Sequence, residues 1–414
     1  MSSLGISTCE RRFKSAEQLL NNTIHQRIAH IEQFPQILGL NDSFFVADIE
    51  EIRRQHDLWV SHLHFIRPFY AVKCNTDTTL LKVLRQLDVG FDCASIDEIH
   101  TVLSLGTHPN NIIFANPCKA PEAIAFAHKV GVKKTTFDNL DELDKIKKHM
   151  PDAQLLLRIF ANDHTAIVAL GEKYGAPLES THALLMRARD LDIDVVGISF
   201  HIGSGASDPN AIRKAVAHSR VVWKIAQSVG FSLKILDIGG GFQPTESLFE
   251  PMATAVCSAI SEASFPEKTT FIAEPGRFYA RNVFTLVCRV FSRRVSTTES
   301  LEALEMLYQN DGVYGNFMNG LIEKEEYTPI LIRSRINDDL ARKTGDHTYT
   351  IWGPTCDSTD CVSRKSTFAC EVKVGDFLVY KNMGAYTSAT ATRFNGFSSQ
   401  KDTIYICSGS DDYS

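Results

Sequence analysis

The sequence predicts an α/β fold in which a (β/α)8, TIM-like barrel is followed by an all-β domain. Eight strand-like runs, rich in β-branched and aromatic residues, alternate with stretches of helical periodicity between residues 69 and 274. Connections long enough for a helix place successive strands parallel to one another, as a closed parallel barrel requires. The predicted strands are Phe69–Lys73, Phe91–Ser95, Ile112–Asn116, Thr135–Asp138, Leu155–Ile159, Val195–His201, Ile235–Gly239 and Thr270–Glu274.

The pattern changes after Arg277, where helical periodicity gives way to short strand-like runs separated by turn residues. An earlier strand-like run, Ser43–Ala47, is expected to join these C-terminal strands. The sequence therefore predicts three parts. Residues 1–45 form an N-terminal segment that contributes to the β domain, residues 46–280 form the barrel, and residues 281–414 form the C-terminal β domain.

Composition indicates an ordinary globular protein that binds neither nucleic acid nor a membrane. The 414 residues carry 43 Lys and Arg against 49 Asp and Glu, a net charge of −6, so we expect no basic surface for nucleic acid. The sequence contains no run of about 18 apolar residues, so no membrane span is predicted, and the first residues show no signal-peptide pattern. Ten scattered cysteines without metal-ligand spacing indicate reduced thiols, no metal site and a cytoplasmic location.

Lys73 is the candidate nucleophile of the barrel. It ends the aromatic and β-branched run that begins at Phe69, so its ammonium is expected at the mouth of an apolar core. A partly desolvated lysine can act as an amine nucleophile, and the usual cofactor of such a lysine is pyridoxal phosphate, held as a Schiff base. A solvated lysine at a strand end is the common alternative, so the prediction depends on the other strand ends.

Polar and glycine residues gather at the predicted strand ends, where barrel enzymes place their active sites. The turn Gly239–Gly241 lets backbone N–H groups approach an anion, and with Ser204 and Arg277 it forms a candidate phosphate site. Glu274 could keep a pyridine nitrogen protonated, and His201 could stack on the ring. The alternatives are a tight turn, a Glu274–Arg277 ion pair and a structural histidine. Further strand-end residues are Asp92, Asn116, Asp138 and Arg158.

Two loops of the predicted β domain carry candidate side chains. In the first, Cys356 and Asp357 stand side by side after a Gly-Pro turn. The thiol could donate a proton, and the carboxylate could bind a cationic group of a substrate. An ordinary loop with a free thiol is the alternative. In the second loop, Tyr386 offers a phenol that could bond a phosphate.

Nine motifs connect these features. They are Pro68–Asn75 (PFYAVKCN), Phe91–Ser95 (FDCAS), Ala115–Lys119 (ANPCK), Ser199–Gly205 (SFHIGSG), Leu236–Phe242 (LDIGGGF), Ala273–Arg277 (AEPGR), Asp311–Gly315 (DGVYG), Trp352–Asp357 (WGPTCD) and Gly384–Thr387 (GAYT). In this order they resemble the eukaryotic ornithine decarboxylases, a family of fold-type III decarboxylases. The resemblance implies an alanine-racemase-like barrel with a C-terminal β domain, pyridoxal 5′-phosphate as cofactor, and a homodimer with shared active sites at its interface.

The resemblance also implies roles for individual residues. Lys73 resembles the lysine that carries the cofactor, Glu274 the partner of the pyridine nitrogen, and His201 the ring-stacking residue. Cys356 resembles the thiol that controls protonation after carbon dioxide leaves, and with Asp357 it would come from the partner subunit. The residues that resemble phosphate ligands are Ser204, Gly239, Gly240, Gly241, Arg277 and Tyr386. The residues that resemble the polar support of the lysine and ring are Asp92, Glu98 and Arg158. The residues that resemble substrate contacts are Tyr314, Glu323, Asp357 and Phe394. Lys173 and Asp360 resemble an ion pair across the dimer.

One departure from the family bears on the substrate. The family places an aspartate after the DGVYG motif to help hold the distal ammonium of the substrate, whereas this chain has Glu323, which reaches about one C–C bond, ~1.5 Å, further. The favoured reaction is decarboxylation of L-ornithine to putrescine, a step of polyamine biosynthesis. The alternatives are a paralogue that acts on arginine, lysine or an N-substituted alkaloid-pathway intermediate, and an inactive regulatory homologue. The presence of Lys73, Glu274 and Cys356 argues against the inactive homologue.

Overall fold

The chain divides into two compact units. A computed structural model of the protein describes residues 4–37, 39, 42–161, 165–167, 173–294, 305–337 and 341–409, and of residues 4–15 it describes the backbone alone. The unit called the barrel unit below spans Ile52–Ala280, and the β unit combines Met1–Glu51 with Arg281–Ser414. The barrel unit is therefore inserted, along the chain, between two parts of the β unit.

The N-terminal segment forms a long helix, α1 (Leu4–Gln33), and a strand, β1 (Phe44–Asp48). Isoleucines recur along α1 at spacings of four and three residues, so they share one face of the helix. Each is at most 3% exposed and packs against apolar side chains of β1 and of later strands in the β unit. This face therefore ties α1 to the core of the β unit. The isoleucines are Ile24, Ile28 and Ile31.

Eight parallel strands of the barrel unit close into a barrel in chain order, because the first strand pairs with both the second and the last. This closed barrel confirms the predicted fold class. The strands are β2 (Ile66–Ala71), β3 (Gly90–Cys93), β4 (Ile112–Phe114), β5 (Lys134–Phe137), β6 (Gln154–Arg158), β7 (Asp194–Ser199), β8 (Ile235–Asp237) and β9 (Thr270–Ala273).

Side chains at the helix ends explain where several barrel helices begin and stop. Asp77, Ser95 and Asn139 each accept first-turn backbone N–H groups, and Gly230 takes the left-handed conformation, at φ 110°, that ends a helix.

Among the helices that the structure describes, none is long and apolar enough to span a membrane. The helices are α2 (Ile49–Leu63), α3 (Thr78–Gln86), α4 (Ile96–Ser104), α5 (Pro121–Lys129), α6 (Leu140–His149), α7 (Thr181–Asp190), α8 (Pro209–Val229), α9 (Glu246–Ala263) and α10 (Arg277–Ala280).

An apolar cluster joins the barrel strands. Its members come from five different strands, and each is at most 4% exposed. Close-packed side chains of this kind leave little freedom for the strands that carry them. Residues at the carboxyl ends of these strands are therefore attached to a rigid support. The cluster contains Phe69, Ile113, Leu156, Val196 and Ile272.

The β unit is built on one mixed sheet, which confirms the predicted β domain. Its later elements are β10 (Phe284–Arg294), β11 (Glu305–Gln309), α11 (Asn319–Ile322), β12 (Ile330–Ile332), β13 (Thr344–Trp352), β14 (Cys361–Cys370), β15 (Phe377–Tyr380) and β16 (Asp402–Ile406). The main strand order is β12-β15-β10-β11-β13-β14, and β1 pairs antiparallel with β10 and parallel with β16. The N-terminal strand β1 thus lies between β10 and β16.

A buried ion pair supports one end of this sheet. Arg342 binds Asp376 through two contacts, Nη1 to Oδ2 at 2.6 Å and Nη2 to Oδ1 at 2.8 Å. The side chains are 9% and 0% exposed, and Asp376 also accepts the backbone N–H groups of Ser334 and Lys373. The carboxylate therefore joins three separate segments of the β unit.

We expect Asp376→Ala to destabilise the β unit by about 3–5 kcal/mol, because it leaves a largely buried guanidinium without its partner. Urea unfolding followed by circular dichroism measures the change. Lys381→Ala is the control, since Lys381 pairs with Glu17 at 2.8 Å in an exposed position of the same unit, where an ion pair contributes about 0–1 kcal/mol. Equal effects of the two substitutions would contradict the interpretation.

Candidate active site

Lys73 lies just beyond a strand rather than within it. The structure ends β2 at Ala71, and Lys73 occupies a short 3-10 turn that closes when the Asn75 N–H donates to the Val72 carbonyl at 3.2 Å. The predicted strand Phe69–Lys73 therefore extended two residues past the end of β2, and it began three residues after the start of β2 at Ile66. The turn brings Lys73 Nζ within 2.6 Å of Oδ2 of Asp92 on the neighbouring strand β3. The amine is partly exposed while the carboxylate is fully buried, so the pair faces outward from the barrel core.

Two carboxyl groups form a buried pair at the ends of adjacent strands. Asp237 ends β8 and Glu274 follows β9, and these two strands pair with each other. Burial raises the pKa of Asp237 to about 7, and burial together with the neighbouring Asp237 raises the pKa of Glu274 well above its usual range. Because neighbouring carboxylates repel each other, it is unfavourable for both groups to be ionised at once. Sequence reasoning missed Asp237, although it stands two residues before the glycine run at a predicted strand end.

The glycine run is packed so closely that side chains are excluded from it. Gly239 and Gly241 have positive φ angles of 65° and 108°. A Cβ on Gly240 would lie 2.5 Å from the backbone oxygen of Glu274 and 3.0 Å from Nε2 of His201. Three consecutive residues without side chains thus let neighbouring backbone pack closely beside the carboxyl pair. A turn without side chains can also present its N–H groups to an anion.

Arg277 and Ser204 also lie together. The Arg277 guanidinium donates from Nη2 to Oγ of Ser204 at 3.3 Å, and the arginine is 3% exposed. Ser204 lies in the glycine-rich turn after β7. A buried guanidinium beside a hydroxyl supplies the donors that a phosphate requires.

His201 is held as a neutral ring. Its Nδ1 accepts the backbone N–H of Gly203 at 3.0 Å, so this nitrogen carries no proton. Burial, followed by the positive charges of Arg158 and Lys73, lowers the pKa of His201 well below its ordinary value. A neutral imidazole offers a flat face without a charge. Arg158, at the end of β6, instead places its guanidinium 5.3 Å from the centre of the Tyr174 ring.

Glu98 contributes a further carboxyl group to this end of the barrel. It accepts the backbone N–H of Ala94 through Oε2 at 2.6 Å, directly after strand β3. Burial raises the pKa of Glu98, and the nearby Asp92 adds to that increase. The barrel unit therefore gathers an amine, several carboxyl groups and an arginine at the carboxyl ends of its strands.

In the β unit, Asp357 forms a separate cluster with aromatic residues. The Tyr314 hydroxyl donates to Oδ2 of Asp357 at 2.9 Å, and Thr359 donates its backbone N–H and hydroxyl to Oδ1 at 2.7 and 2.8 Å. These hydrogen bonds, led by those from Thr359, lower the pKa of Asp357. The Tyr314 and Phe394 rings lie 4.4 Å apart at 31°. An ionised carboxylate thus stands beside aromatic faces, a combination that attracts a cation.

Two other predicted residues flank this cluster. Cys356 is exposed, and its backbone N–H donates to Oδ1 of Asn395 at 3.0 Å. Asp360 is 1% exposed and accepts three hydrogen bonds within its own unit, from the N–H of Val313 at 2.7 Å and from the N–H and hydroxyl of Thr355 at 2.9 and 2.7 Å. Asp360 therefore joins the loop that carries Tyr314 to the loop that carries Cys356.

The remaining predicted residues, Glu323 and Tyr386, lie elsewhere in the β unit. Glu323 directly follows α11, donates its N–H to the Asn319 carbonyl at 2.8 Å, and is half-buried. Tyr386 takes a positive φ of 54°, and its carbonyl accepts the hydroxyl of Thr390 at 2.7 Å. The two loops are connected, because the Asn319 side chain donates to the Ala385 carbonyl at 3.0 Å.

Comparison with known proteins assigns the family. Residues 49–281 match the family described as pyridoxal-dependent decarboxylase, pyridoxal binding domain. The ornithine decarboxylase of Neurospora crassa is 43% identical, over 95% of this chain and 86% of its own length. This chain belongs to the pyridoxal-dependent decarboxylases. This chain is also similar to antizyme inhibitor 2 of Xenopus laevis, at 41% identity over 86% of this chain and 79% of that protein's length.

A solved structure gives the same result for the fold. The crystal structure of the Paramecium bursaria Chlorella virus arginine decarboxylase superposes with a TM-score of 0.85 at 35% identity, and the match covers 94% of this chain and 100% of that one. The decarboxylase therefore has amino-acid decarboxylases as relatives in both sequence and structure.

The cofactor of the decarboxylase is pyridoxal 5′-phosphate, and the barrel residues fit it. The buried oxygens Asp237 Oδ2 and Glu274 Oε1 receive no N–H donor from the described part of the chain, so a protonated ring nitrogen would supply one. Lys73 provides an amine, and the glycine run, which carries no side chains, lies beside the carboxyl pair. The donor set of Arg277 and Ser204 suits the phosphate.

Gly240→Ala is expected to weaken cofactor binding about a hundredfold, because the new Cβ would force backbone atoms of the site to move by roughly 1 Å. Titration of the apoenzyme with pyridoxal phosphate, followed by absorbance, measures the Kd. Gly230→Ala is the control, since a Cβ there meets no atom within 4 Å, and its positive φ, which Gly240 does not share, tests whether backbone strain alone weakens binding. A Kd for Gly240→Ala equal to that of the control would show that the backbone approach is unnecessary.

Asp237→Asn is expected to extend cofactor binding to lower pH. The substitution removes the negative charge that helps to raise the pKa of Glu274, so Glu274 stays ionised at more acidic pH, while the amide oxygen can still accept the Gly239 N–H. The pH dependence of the pyridoxal-phosphate Kd tests this. An acidic limb that stays in place, or moves to higher pH, would refute the coupling between the two carboxyl groups.

Proposed function

We propose that the decarboxylase converts a cationic L-amino acid to its amine, with L-ornithine to putrescine as the favoured reaction. The observation that carries this proposal is the Asp357 carboxylate, kept ionised by three hydrogen bonds beside the Tyr314 and Phe394 rings. A carboxylate held in this way favours a substrate with a positively charged side chain. The 43% identity to an ornithine decarboxylase supports ornithine among such substrates.

The barrel residues would divide the catalytic work. Pyridoxal phosphate, when bound, supplies an electron sink for the electron pair left at Cα when the carboxylate departs. Lys73 supplies the amine that holds the cofactor, and Asp92, 2.6 Å away, holds the proton of that amine. Glu274 keeps a proton on the ring nitrogen, with Asp237 adjusting its basicity. His201 offers a neutral ring face that stacks without adding charge.

The remaining residues would bind the phosphate and the substrate, and one of them would supply a proton. Arg277, Ser204, the glycine run and Tyr386 would hold the phosphate, and Glu98 and Arg158 would support the lysine and the ring. Cys356 has an exposed thiol, which can deliver a proton to Cα after carbon dioxide leaves. Asp357, Tyr314, Phe394 and Glu323 would contact the side chain of the substrate.

We further propose a cytoplasmic homodimer. Cys356 and Phe394, assigned to the substrate, are exposed in the single chain, as residues that act at a subunit interface would be. All nine cysteines of the described residues are free thiols, which supports a reducing compartment. Sedimentation of the purified enzyme tests the dimer.

Glu323 favours a second candidate, a decarboxylase for a different cationic amino acid such as arginine, lysine or an N-substituted intermediate. Its carboxylate extends about one C–C bond, ~1.5 Å, further from the backbone than an aspartate. The structural similarity to an arginine decarboxylase fits this reading. The third candidate, an inactive regulatory homologue, finds support in the similarity to antizyme inhibitor 2. Against it, the lysine, carboxyl pair and thiol are all present.

Product identification with separate ornithine, lysine and arginine distinguishes these candidates. We expect putrescine from ornithine as the fastest product. Faster formation of agmatine or cadaverine would favour the second candidate. A protein without cofactor absorbance and without any amine product, even after addition of pyridoxal phosphate, would favour the inactive homologue.

Glu323→Asp is expected to raise the ratio of kcat/KM for ornithine over arginine about tenfold, because a displaced carboxylate changes the preferred distance to the distal cation by an amount comparable to one methylene. Steady-state kinetics with both substrates measures the ratio. Glu326→Asp is the control, since Glu326 is an exposed glutamate of the same segment. A ratio that stays constant in both variants would exclude Glu323 as the selector.

A further inference from the structure

The segment Met318–Tyr327, called the selector segment below, carries an ion pair that the proposed chemistry does not use. Arg281 Nη2 lies 2.5 Å from Oε1 of Glu325, and the two side chains are 24% and 17% exposed. Arg281 is the first residue of the chain after the barrel unit, whereas Glu325 stands two residues after Glu323. An ion pair this sheltered from water is worth more than an exposed one and restrains the segment that carries it.

Backbone hydrogen bonds connect the ion pair to the position of Glu323. The Asn319 carbonyl accepts the N–H groups of both Glu323, at 2.8 Å, and Glu325, at 3.2 Å. Between these glutamates, Lys324 takes a left-handed conformation with φ 55°, which costs a lysine energy and persists only where neighbouring contacts hold it. Displacing Glu325 would therefore also displace Glu323.

Arg281 also holds the other side of this network. Its carbonyl accepts the N–H of Gly384 at 3.1 Å, and the next residue, Ala385, accepts the side chain of Asn319 at 3.0 Å. Asn319 is 2% exposed, so its amide has little access to water. The guanidinium and the carbonyl of Arg281 thus fix two loops that meet again through Asn319.

A second effect of the ion pair is that Arg281 neutralises the charge of Glu325. The selector segment contains three glutamates and one lysine. Burial, followed by the charges of Glu325 and Glu323, raises the pKa of Tyr327, which shows that both carboxylates lie near one phenol. Without Arg281, a second carboxylate at Glu325 would attract any cation that Glu323 attracts, and the two anions would repel each other.

We propose that the Arg281–Glu325 ion pair determines substrate specificity by fixing Glu323 in place and by withdrawing Glu325 from competition for the distal cation of the substrate. The inference rests on the proposed function, in which Glu323 faces that cation. Arg281 and Glu325 are positioning residues, because they act through Glu323. The consequence is that discrimination between ornithine and arginine depends on a residue outside the motifs of the family.

The test compares Arg281→Met, Glu325→Gln and the double variant, with kcat/KM measured separately for ornithine, lysine and arginine. Arg281→Met releases Glu325 as a competing carboxylate, so we expect the ornithine-to-arginine ratio to change at least tenfold. Glu325→Gln removes that carboxylate, so we expect a smaller change. The double variant should match Glu325→Gln, because the loss of Arg281 matters little once Glu325 is uncharged.

Two further variants keep the test decisive. Arg281→Lys retains the charge and should restore a ratio near that of the parent enzyme even if Arg281→Met folds poorly. Arg293→Met removes a matched ion pair of the same unit, Arg293–Glu371 at 2.8 Å with side chains 20% and 15% exposed, and should leave the ratio unchanged. Ratios between substrates are independent of the fraction of folded enzyme, so a purely structural effect would not move them.

Glu323→Gln separates failure of this inference from failure of the proposed function. If Glu323→Gln changes the ratio whereas Arg281→Met leaves it constant, the ion-pair inference is wrong and the assignment of Glu323 stands. If Glu323→Gln itself leaves the relative rates of the three substrates unchanged, Glu323 does not face the distal cation. A double variant that is additive, rather than equal to Glu325→Gln, would also overturn the inference.

Discussion

The buried carboxyl pair of Asp237 and Glu274 is the constraint on which the barrel site depends. Desolvation makes it unfavourable for both carboxyl groups to ionise, and the positive charges of Arg158 and Lys73 offset that effect only in part. A ligand that brings an N–H to this pair stabilises it, whereas an uncharged apolar ligand does not. The pair would therefore favour a cofactor with a protonated pyridine ring.

The β unit uses carboxylates differently. Asp360 is buried but accepts three hydrogen bonds, so it stays satisfied and serves to hold two loops in register. Asp357, three residues earlier, is partly exposed and keeps its charge with the help of hydroxyl and N–H donors. One aspartate thus fixes two loops, and the other retains a partly exposed charge. Burial and hydrogen bonding, rather than residue type, separate these roles.

The sequence was sufficient for features that repeat or that depend on local chemistry. Alternating strands and helices predicted the barrel, and glycines that must avoid side-chain contacts marked the turn at Gly239–Gly241. The sequence was insufficient where the role of a residue depends on a partner that lies near it in space but far from it along the chain. Lys73 lies beyond its strand because a turn closes at Asn75, and Asp237 gains its importance only from Glu274 on the next strand. The resemblance assigned Asp360 to an ion pair across a dimer, whereas its hydrogen bonds within the β unit required the fold.

Substrate choice is a second property that the residue type alone does not define. An aspartate and a glutamate differ by about one C–C bond, ~1.5 Å, which is comparable to the shift that a small rotation of the supporting backbone would produce. The identity of residue 323 therefore cannot define the distance to a substrate cation unless the backbone that carries it is fixed. In this chain the backbone is held by Asn319, by the left-handed Lys324 and by the Arg281–Glu325 ion pair. Specificity is thus a property of the whole selector segment and its anchor, and two relatives with the same carboxylate can prefer different amino acids when that anchor differs.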